Sequence, residues 1–366
     1  MKRNKCICVF VVSAIWFLLS ISSWCKETTP MSLTERRKLA TFPKVSTQTI
    51  LQGTFATQFE EYATDQFPLR DSFRTIKALS NYYLFQQKDN NGIYIRNGYA
   101  SKLLYPYNVQ SVQNACNKMQ AIYDMYCKDT SGKKYATVVP DKGFFLAESG
   151  GYLSLDYEKL FADFKQGLPF AQYIDIADTL QLTDYYKTDT HWRQEYLVDT
   201  AKKIAEAMGI SDEISWNFTK VVTDQPFYGV YYGQSALPLK SETISYLTNP
   251  VIEGTKVYHP DTDKWTPVYD MDKLSSRDPY EMFLSGAVPI LVMENDSVAN
   301  DKELIVFRDS FGSSLVPLLT EAYSKITLVD TRYISSNLIG EYVDFKDADV
   351  LFMYSSLVLN DSFTLK

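Results

Sequence analysis

The chain of 366 residues is 45% hydrophobic and 22% charged, an ordinary globular composition with length for one large domain or two modest ones. A domain near 300 residues buries roughly 75% of its unfolded surface, so neither disulfides nor a metal are required to hold it. The net charge of -7, with no stripe of clustered Lys and Arg, argues against a nucleic-acid partner.

Lys2, Arg3 and Lys5 precede an uncharged apolar run of 19 residues, Cys6 to Trp24. That length suits a membrane-spanning helix or a long signal-peptide core, and the basic flank places the bulk of the protein outside the cytoplasm. An uncleaved anchor within residues 1–30 is the favoured reading, with cleavage after Ser20-Ile21-Ser22 next. Residues 31–90 read as a polar, helical extension broken at Pro43 and Pro68, in which Phe55, Phe59 and Tyr62 form a small apolar face. Asn90-Asn91-Gly92 and Asn97-Gly98 bracket Ile93-Tyr94-Ile95 as a short hairpin. A helix is predicted from about Val109 to Cys127. Cys116 and Cys127 would then lie about 16 Å apart along its axis at 1.5 Å per residue, too far to bridge.

From there to the end, residues 91–366, apolar runs alternate with amphipathic helices. Tyr135 to Pro140 precedes a helix near Tyr157 to Lys165. Ala171 to Ile176 precedes one carrying Leu197, Ala201, Ile204, Ala205 and Met208, stopped by Gly209. Glu303 to Phe307 leads to a helix near Leu315 to Tyr323, Ile326 to Asp330 to one near Ser336 to Phe345, and Val350 to Tyr354 closes the series. Such continuous apolar runs indicate parallel strands buried on both faces, hence an α/β core. Between about 210 and 300 the pattern breaks into a Tyr-, Gly- and Pro-rich region, read as a loop-and-strand insertion over the sheet edge.

The chain has two histidines. His259, in Tyr258-His259-Pro260 with Asp261 and Asp263 behind it, reads as a solvated turn. His191 stands in Asp189-Thr190-His191-Trp192. Residues two apart do not face each other on a helix, so Asp189 orients the His191 ring only if both lie in the turn before the helix, with Thr188 or Thr190 as its cap. The pair is then the base half of a nucleophilic triad, or else an N-cap carboxylate beside a surface histidine. The nucleophile it would serve is Ser310, in Arg308-Asp309-Ser310-Phe311-Gly312, where a parallel strand turns into a helix and free N–H groups can receive an oxyanion. Gly312 fits the second glycine of the nucleophile elbow G-x-S-x-G, whereas Arg308 replaces the first. A serine in a turn before a helix is more often a plain cap. Arg332, after the strand ending at Asp330, is a candidate donor or glycan contact; an ion pair with Asp330 or Glu341 is the alternative. The 27 Tyr, 21 Phe and 5 Trp offer flat faces for sugar rings, although packing accounts for most large aromatics.

Asp189-Thr190-His191-Trp192 taken with Asp309-Ser310-Phe311-Gly312 resembles the DHHW-type bacterial proteins and the related alginate O-acetyltransferases, which are similar to SGNH hydrolases with their sequence blocks permuted. The pair precedes the serine by 119 positions, the reverse of the usual SGNH order. Supporting matches are Thr34-Glu35-Arg36-Arg37-Lys38-Leu39-Ala40 with Phe42-Pro43, Asp65-Gln66-Phe67-Pro68-Leu69-Arg70, Val139-Pro140-Asp141-Lys142 and Asp330-Thr331-Arg332-Tyr333. Thr190 replaces the first His of the DHHW name, and Ser285-Gly286-Ala287 stands where relatives tend to carry Gly-Gly-Asn, which removes a side-chain oxyanion donor. The resemblance implies a parallel-sheet, SGNH hydrolase-like core, circularly permuted, with Ser310 as nucleophile, His191 as base, Asp189 as its orienting carboxylate, and Ser310 and Gly286 at the oxyanion. It implies O-acetyltransfer to an exported polysaccharide, with acetyl supplied by a membrane-bound acyltransferase and no cofactor or metal. Water as acceptor would make the protein an acetylesterase. A polysaccharide-binding or assembly protein that keeps only the fold is the competing class. One isolated Asp-x-His falls short of the ligands zinc normally takes.

Overall fold

The computed structural model of the protein describes residues 2–366 and contains two compact units: one ending at Asn91 and joined by Tyr232–Pro238, the other formed by Gly92–Tyr231 and Leu239–Lys366. The first begins with α1 (Lys2–Cys25), whose apolar stretch Cys6–Ser23 has no residue buried inside the protein. At 1.5 Å per residue its 24 residues reach about 36 Å, enough for a hydrocarbon core of about 30 Å. Two short strands follow, β1 (Met31–Ser32) and β2 (Arg37–Lys38), paired antiparallel. Then come α2 (Thr47–Leu51), α3 (Thr54–Asp65) and α4 (Arg70–Leu79). Ser46 caps α2 through a capping box with Thr49. Pro43 and Pro68 fall between elements, and the predicted Phe55, Phe59 and Tyr62 face is completed by Phe42, whose ring meets all three edge-on.

The second unit opens with the predicted hairpin, β3 (Ile93–Arg96) and β4 (Tyr99–Lys102), turned by Asn97 and Gly98 at φ 52° and 80°. In order follow α5 (Val109–Ile122), extended by a π-turn to Cys127, β5 (Lys134–Val139), α6 (Gly143–Leu146), α7 (Tyr157–Gly167), β6 (Gln172–Tyr173) and α8 (Val198–Met208). The region from 210 to 300 supplies β7 (Thr219–Phe227), α9 (Val230–Ser235), β8 (Glu242–Thr248), α10 (Pro250–Gly254), β9 (Lys256–His259), β10 (Lys264–Pro267) and β11 (Ile290–Glu294). Last come β12 (Glu303–Arg308), α11 (Gly312–Leu315), β13 (Lys325–Val329), β14 (Asp349–Ser355) and α12 (Ser356–Leu359).

The main sheet runs β10-β9-β11-β13-β12-β14-β5-β6. From β13 to β6 it is parallel, as the apolar runs require. The other three strands are antiparallel, so the insertion lengthens the sheet in its own plane; its β7–β8 hairpin stands apart. Alternation of side chains divides the core. Leu304 and Val306 of β12 pack with Ala201 and Ile204 of α8, while Ile305 and Phe307 pack with Met119 of α5 and Leu160 and Phe164 of α7.

Several sequence expectations need correction. The strand predicted over Ala171 to Ile176 is two residues long. Where a helix is predicted from Leu315 to Tyr323, α11 already ends at Leu315 and a 3-10 turn, Val316–Ala322, follows, because Pro317 at the junction has no N–H to continue the ladder. The helix predicted from Ser336 to Phe345 is a 3-10 turn, Ser336–Glu341. His259 is buried at the end of β9, its Nε2 2.9 Å from Thr266 Oγ1, and burial lowers its pKa. A solvated turn overlooks the pairing with β10, which the intervening Pro260 does not interrupt. Cys116 and Cys127 are buried free thiols, their pKa values pushed up to about 11 by burial.

Truncating Ile305, 1% exposed on a central strand, is expected to cost about 2–5 kcal/mol. Chemical unfolding of Ile305→Ala beside the parent checks this; a change below 1 kcal/mol would contradict the two-faced burial of β12.

Candidate active site

The Asp189–His191 pair lies in a loop whose ends are held by an isolated antiparallel bridge between Tyr185 and Trp192 and by the Tyr186 N–H donating to the His191 carbonyl at 3.1 Å. α8 begins only at Val198, with Leu197 in the cap position, so the pair is not at a helix N-terminus and Thr188 and Thr190 cap nothing there. Thr188 Oγ1 instead donates to Glu242 Oε2 at 3.0 Å and accepts the Gly229 N–H at 3.0 Å. Thr190 Oγ1 accepts the Tyr231 hydroxyl at 3.0 Å.

Asp189 is fully buried. Its Oδ1 accepts the His191 N–H at 3.0 Å and lies 2.5 Å from His191 Nδ1, and its Oδ2 accepts the Val230 N–H at 2.8 Å. A carboxylate only accepts, so the proton of a neutral imidazole sits on Nδ1 and the lone pair of Nε2 faces outward. That nitrogen is 2.7 Å from Ser310 Oγ. Tyr280 stacks on the His191 ring with centroids 3.8 Å apart and planes 3° from parallel. Its hydroxyl donates to Ser314 Oγ at 2.8 Å, as does Trp192 Nε1 at 2.9 Å. Burial holds the Tyr280 phenol well above its ordinary pKa, so it remains a neutral donor. The ring is thus fixed through its edge by Asp189 and through its face by Tyr280.

Ser310 follows β12, where Asp309 stabilises the turn. Asp309 Oδ1 accepts the Phe311 N–H at 3.0 Å, and Oδ2 accepts the Ser355 N–H of β14 at 2.8 Å. Gly312 is required by packing: a Cβ there would stand 2.8 Å from Arg308 Cβ and 3.0 Å from Met353 Cε. The N–H groups of Phe311, Gly312 and Ser313 are consumed inside the turn. Among the described residues the Ser310 N–H has no partner and is the backbone donor left for an oxyanion. Gly286 donates to the Phe283 carbonyl over a long 3.4 Å. It ends a left-handed run, Leu284, Ser285 and Gly286 at φ 56°, 55° and 90°, in which two non-glycine residues each bear a strain of about 1–2 kcal/mol.

Arg332 forms a two-pronged pair with Asp330, Nε to Oδ1 at 2.8 Å and NH2 to Oδ2 at 2.6 Å, and its guanidinium lies over the Tyr333 ring. The ion pair weighed against a substrate contact is therefore present. Arg308 is buried beside the same carboxylate, its NH1 4.0 Å from Asp330 Oδ2.

Four supports escaped the sequence reading. Glu242 on β8 accepts the Lys187 and Thr188 N–H groups at 2.9 Å each. Gly229 presses on Asp189 so closely that a Cβ would lie 2.2 Å from its Cα. Tyr280 is the third. Lys142, 1% exposed, donates from Nζ to the carbonyls of Tyr186 at 2.8 Å and Lys187 at 3.3 Å. Burial pushes its pKa down to about 7 against the opposing pull of Asp189, Glu242 and Asp141. Only Lys142 had a signal in the sequence, as part of Val139-Pro140-Asp141-Lys142.

No protein-family model matches the sequence, and no curated protein matches it. Solved structures share its fold. A DHHW family protein from Eubacterium siraeum has a TM-score of 0.60 at 18% identity, over 74% of this chain and 93% of that one. PatB1 of Bacillus cereus scores 0.57 at 16% identity, over 73% of this chain and 96% of its own. PatB1 with a sulfonyl adduct scores 0.56 at 19% identity, over 73% and 95%. At such identities the likeness shows the fold, the mixed α/β architecture with a mostly parallel sheet that the resemblance implied.

Two expectations follow. Gly229→Ala must push the Asp189 loop away, and a misplacement of about 1 Å can cost on the order of 100-fold in reactivity. The rate at which a sulfonyl fluoride labels Ser310 measures this; an unchanged rate would mean that the close approach is unimportant. For Lys142 the folded pKa lies below the unfolded one, so between pH 7 and about 10.4 the unfolded chain binds the extra proton. The burial penalty is full below pH 7 and is relieved as pH rises through that window. Chemical unfolding should therefore show the parent gaining stability over Lys142→Met from pH 7 to 10, by at most about 1.4 kcal/mol per pH unit; a flat difference contradicts the depressed pKa.

Proposed function

We propose that this protein is a serine-dependent O-acetyltransferase acting on an exported or cell-surface polysaccharide. The observation that carries the reading is the unbroken relay from Asp189 through both nitrogens of His191 to Ser310, with contacts of 2.5 and 2.7 Å. A serine hydroxyl is a weak nucleophile, and a base oriented by a third group activates it. A plain cap serine and surface histidine have no need of a fully buried carboxylate or a stacked tyrosine.

In this mechanism Ser310 Oγ attacks the acetyl carbonyl of the donor and passes its proton to His191 Nε2. Asp189 stabilises the imidazolium that forms. The oxyanion is received by the Ser310 N–H, with the Gly286 N–H as second donor, which gives up only a long bond to Phe283. Collapse expels the donor's leaving oxygen, protonated by His191, and leaves acetyl on Ser310. A sugar hydroxyl then attacks the ester, His191 takes its proton, and the O-acetylated glycan departs as Ser310 regains the proton. Arg332 contributes through Asp330, to which its fork is committed, and through the face of Tyr333.

α1 serves as the membrane anchor, with the basic residues Lys2, Arg3 and Lys5 on the cytoplasmic side and the active site outside. Acetyl reaches that side from a membrane-bound acyltransferase, the partner this topology requires.

The test is hydrolysis of a chromogenic acetyl ester and transfer to an oligosaccharide panel, with the acyl-enzyme trapped and located by mass spectrometry. Ser310→Ala and His191→Ala should each lower turnover by about three orders of magnitude or more, and the double change should cost little beyond either alone. Acetyl trapped on another residue, or full activity in Ser310→Ala, would refute the assignment. Hydrolysis without transfer to any saccharide would make the protein an esterase.

A further inference from the structure

α4 is amphipathic in the sense opposite to that of an ordinary surface helix. Its polar side faces inward within its unit: Arg70 NH2 pairs with Glu35 Oε2 at 2.5 Å, and Arg74 NH2 reaches Glu35 Oε1 at 3.2 Å and the Gly233 carbonyl at 2.8 Å. Both arginine side chains are less than one-fifth exposed. The side turned to solvent is apolar. Leu69, Phe73 and Ile76 recur at four- and three-residue spacing, and the π-turn Ser80–Leu84 continues the line with Tyr83 and Leu84. Ile76 is 58% exposed and Leu84 72%. Water favours the reverse arrangement, since each exposed large apolar side chain forgoes about 1.5–3 kcal/mol of burial. Contiguous patches of this kind mark surfaces that meet something other than water.

Two further observations identify the medium. The stripe belongs to the unit that begins with α1, the one helix among the described residues long and apolar enough to cross a membrane. Only five residues separate the end of α1 at Cys25 from the first strand pair at Met31. Charge points the same way. Beyond α1, residues 26–91 carry nine Lys and Arg against seven Asp and Glu, whereas residues 92–366 carry 25 against 37. A cationic segment beside a membrane-spanning helix is attracted to anionic headgroups, and an apolar helix face there sinks into the headgroup–acyl boundary.

We propose that the outward stripe of α4 and its π-turn is a lipid-docking surface, lying in the interface of the bilayer that α1 enters. Leu69, Phe73, Ile76, Tyr83 and Leu84 enter the acyl boundary, and Lys77, beside the stripe on the helix, meets the phosphates. The active-site unit is then tethered by an anchor with two attachments, a span and a surface helix.

Full-length protein in nanodiscs of phosphatidylcholine with a minority of phosphatidylglycerol provides the test. With Cys6, Cys8 and Cys25 replaced by alanine, a bimane is attached through Ile76→Cys, Leu84→Cys or, as exposed control, Asp212→Cys. Lipids bearing a nitroxide near the headgroup should quench positions 76 and 84 severalfold more than 212. Adding Phe73→Glu and Tyr83→Glu should remove most of the quenching at 84. Equal quenching at the three positions overturns the proposal, as does quenching at 84 that survives both charges. If position 76 is shielded only in native membranes and stays unquenched in lipid discs, the stripe meets a protein, and the lipid assignment is wrong.

Discussion

Satisfying the fully buried Asp189 carboxylate is the constraint on which the site depends. A buried carboxylate is tolerated only when its oxygens are satisfied, and here they take two backbone N–H groups and the imidazole edge. One of those donors, Val230, comes from the insertion between 210 and 300, as do Gly229 and the Glu242 carboxylate that fix Thr188 next door. The loop that carries Asp189 and His191 has no regular structure of its own. Its shape is imposed by a segment about 40 to 55 residues away.

The same local device recurs along the carboxyl edge of the sheet. Asp141 after β5, Asp309 after β12 and Asp330 after β13 are all buried, and each accepts the N–H two residues on, at 2.8, 3.0 and 3.1 Å. Asp189 does so with His191 at 3.0 Å. An aspartate that folds back on its own backbone gives a strand end a fixed turn without a helix cap. The second oxygen is then free for another partner: Asp309 takes the Ser355 N–H of β14, and Asp330 takes the Arg332 guanidinium two residues on. This network gives Ser310 its direction, and it accounts for arginine where a nucleophile elbow has glycine. Arg308 spends its charge on Asp330 under the turn.

Lys142 shows what such order costs. A buried ammonium is expensive, and its place beneath the carbonyls of Tyr186 and Lys187 is maintained by the acidic groups around it. Stability is spent to hold the loop, as at other sites where strain and buried charge collect.

The sequence alone determined the parallel part of the core, because runs such as Leu304 to Phe307 must be buried on both faces. It also singled out the Asp189–His191 pair, because only one of two histidines has a carboxylate two positions before it. The tertiary structure decided the rest. Apolar periodicity reports that a residue is buried and says nothing of its partner, so β9, β10 and β11 were legible as an insertion and not as strands of the main sheet. For the same reason His259 looked solvated, and Arg332 stood equally between substrate and Asp330. Gly229, Glu242 and Tyr280 left no trace, since a close approach, a backbone clamp and a ring stack arise between positions 40, 54 and 89 residues apart, and only the folded chain brings such positions together.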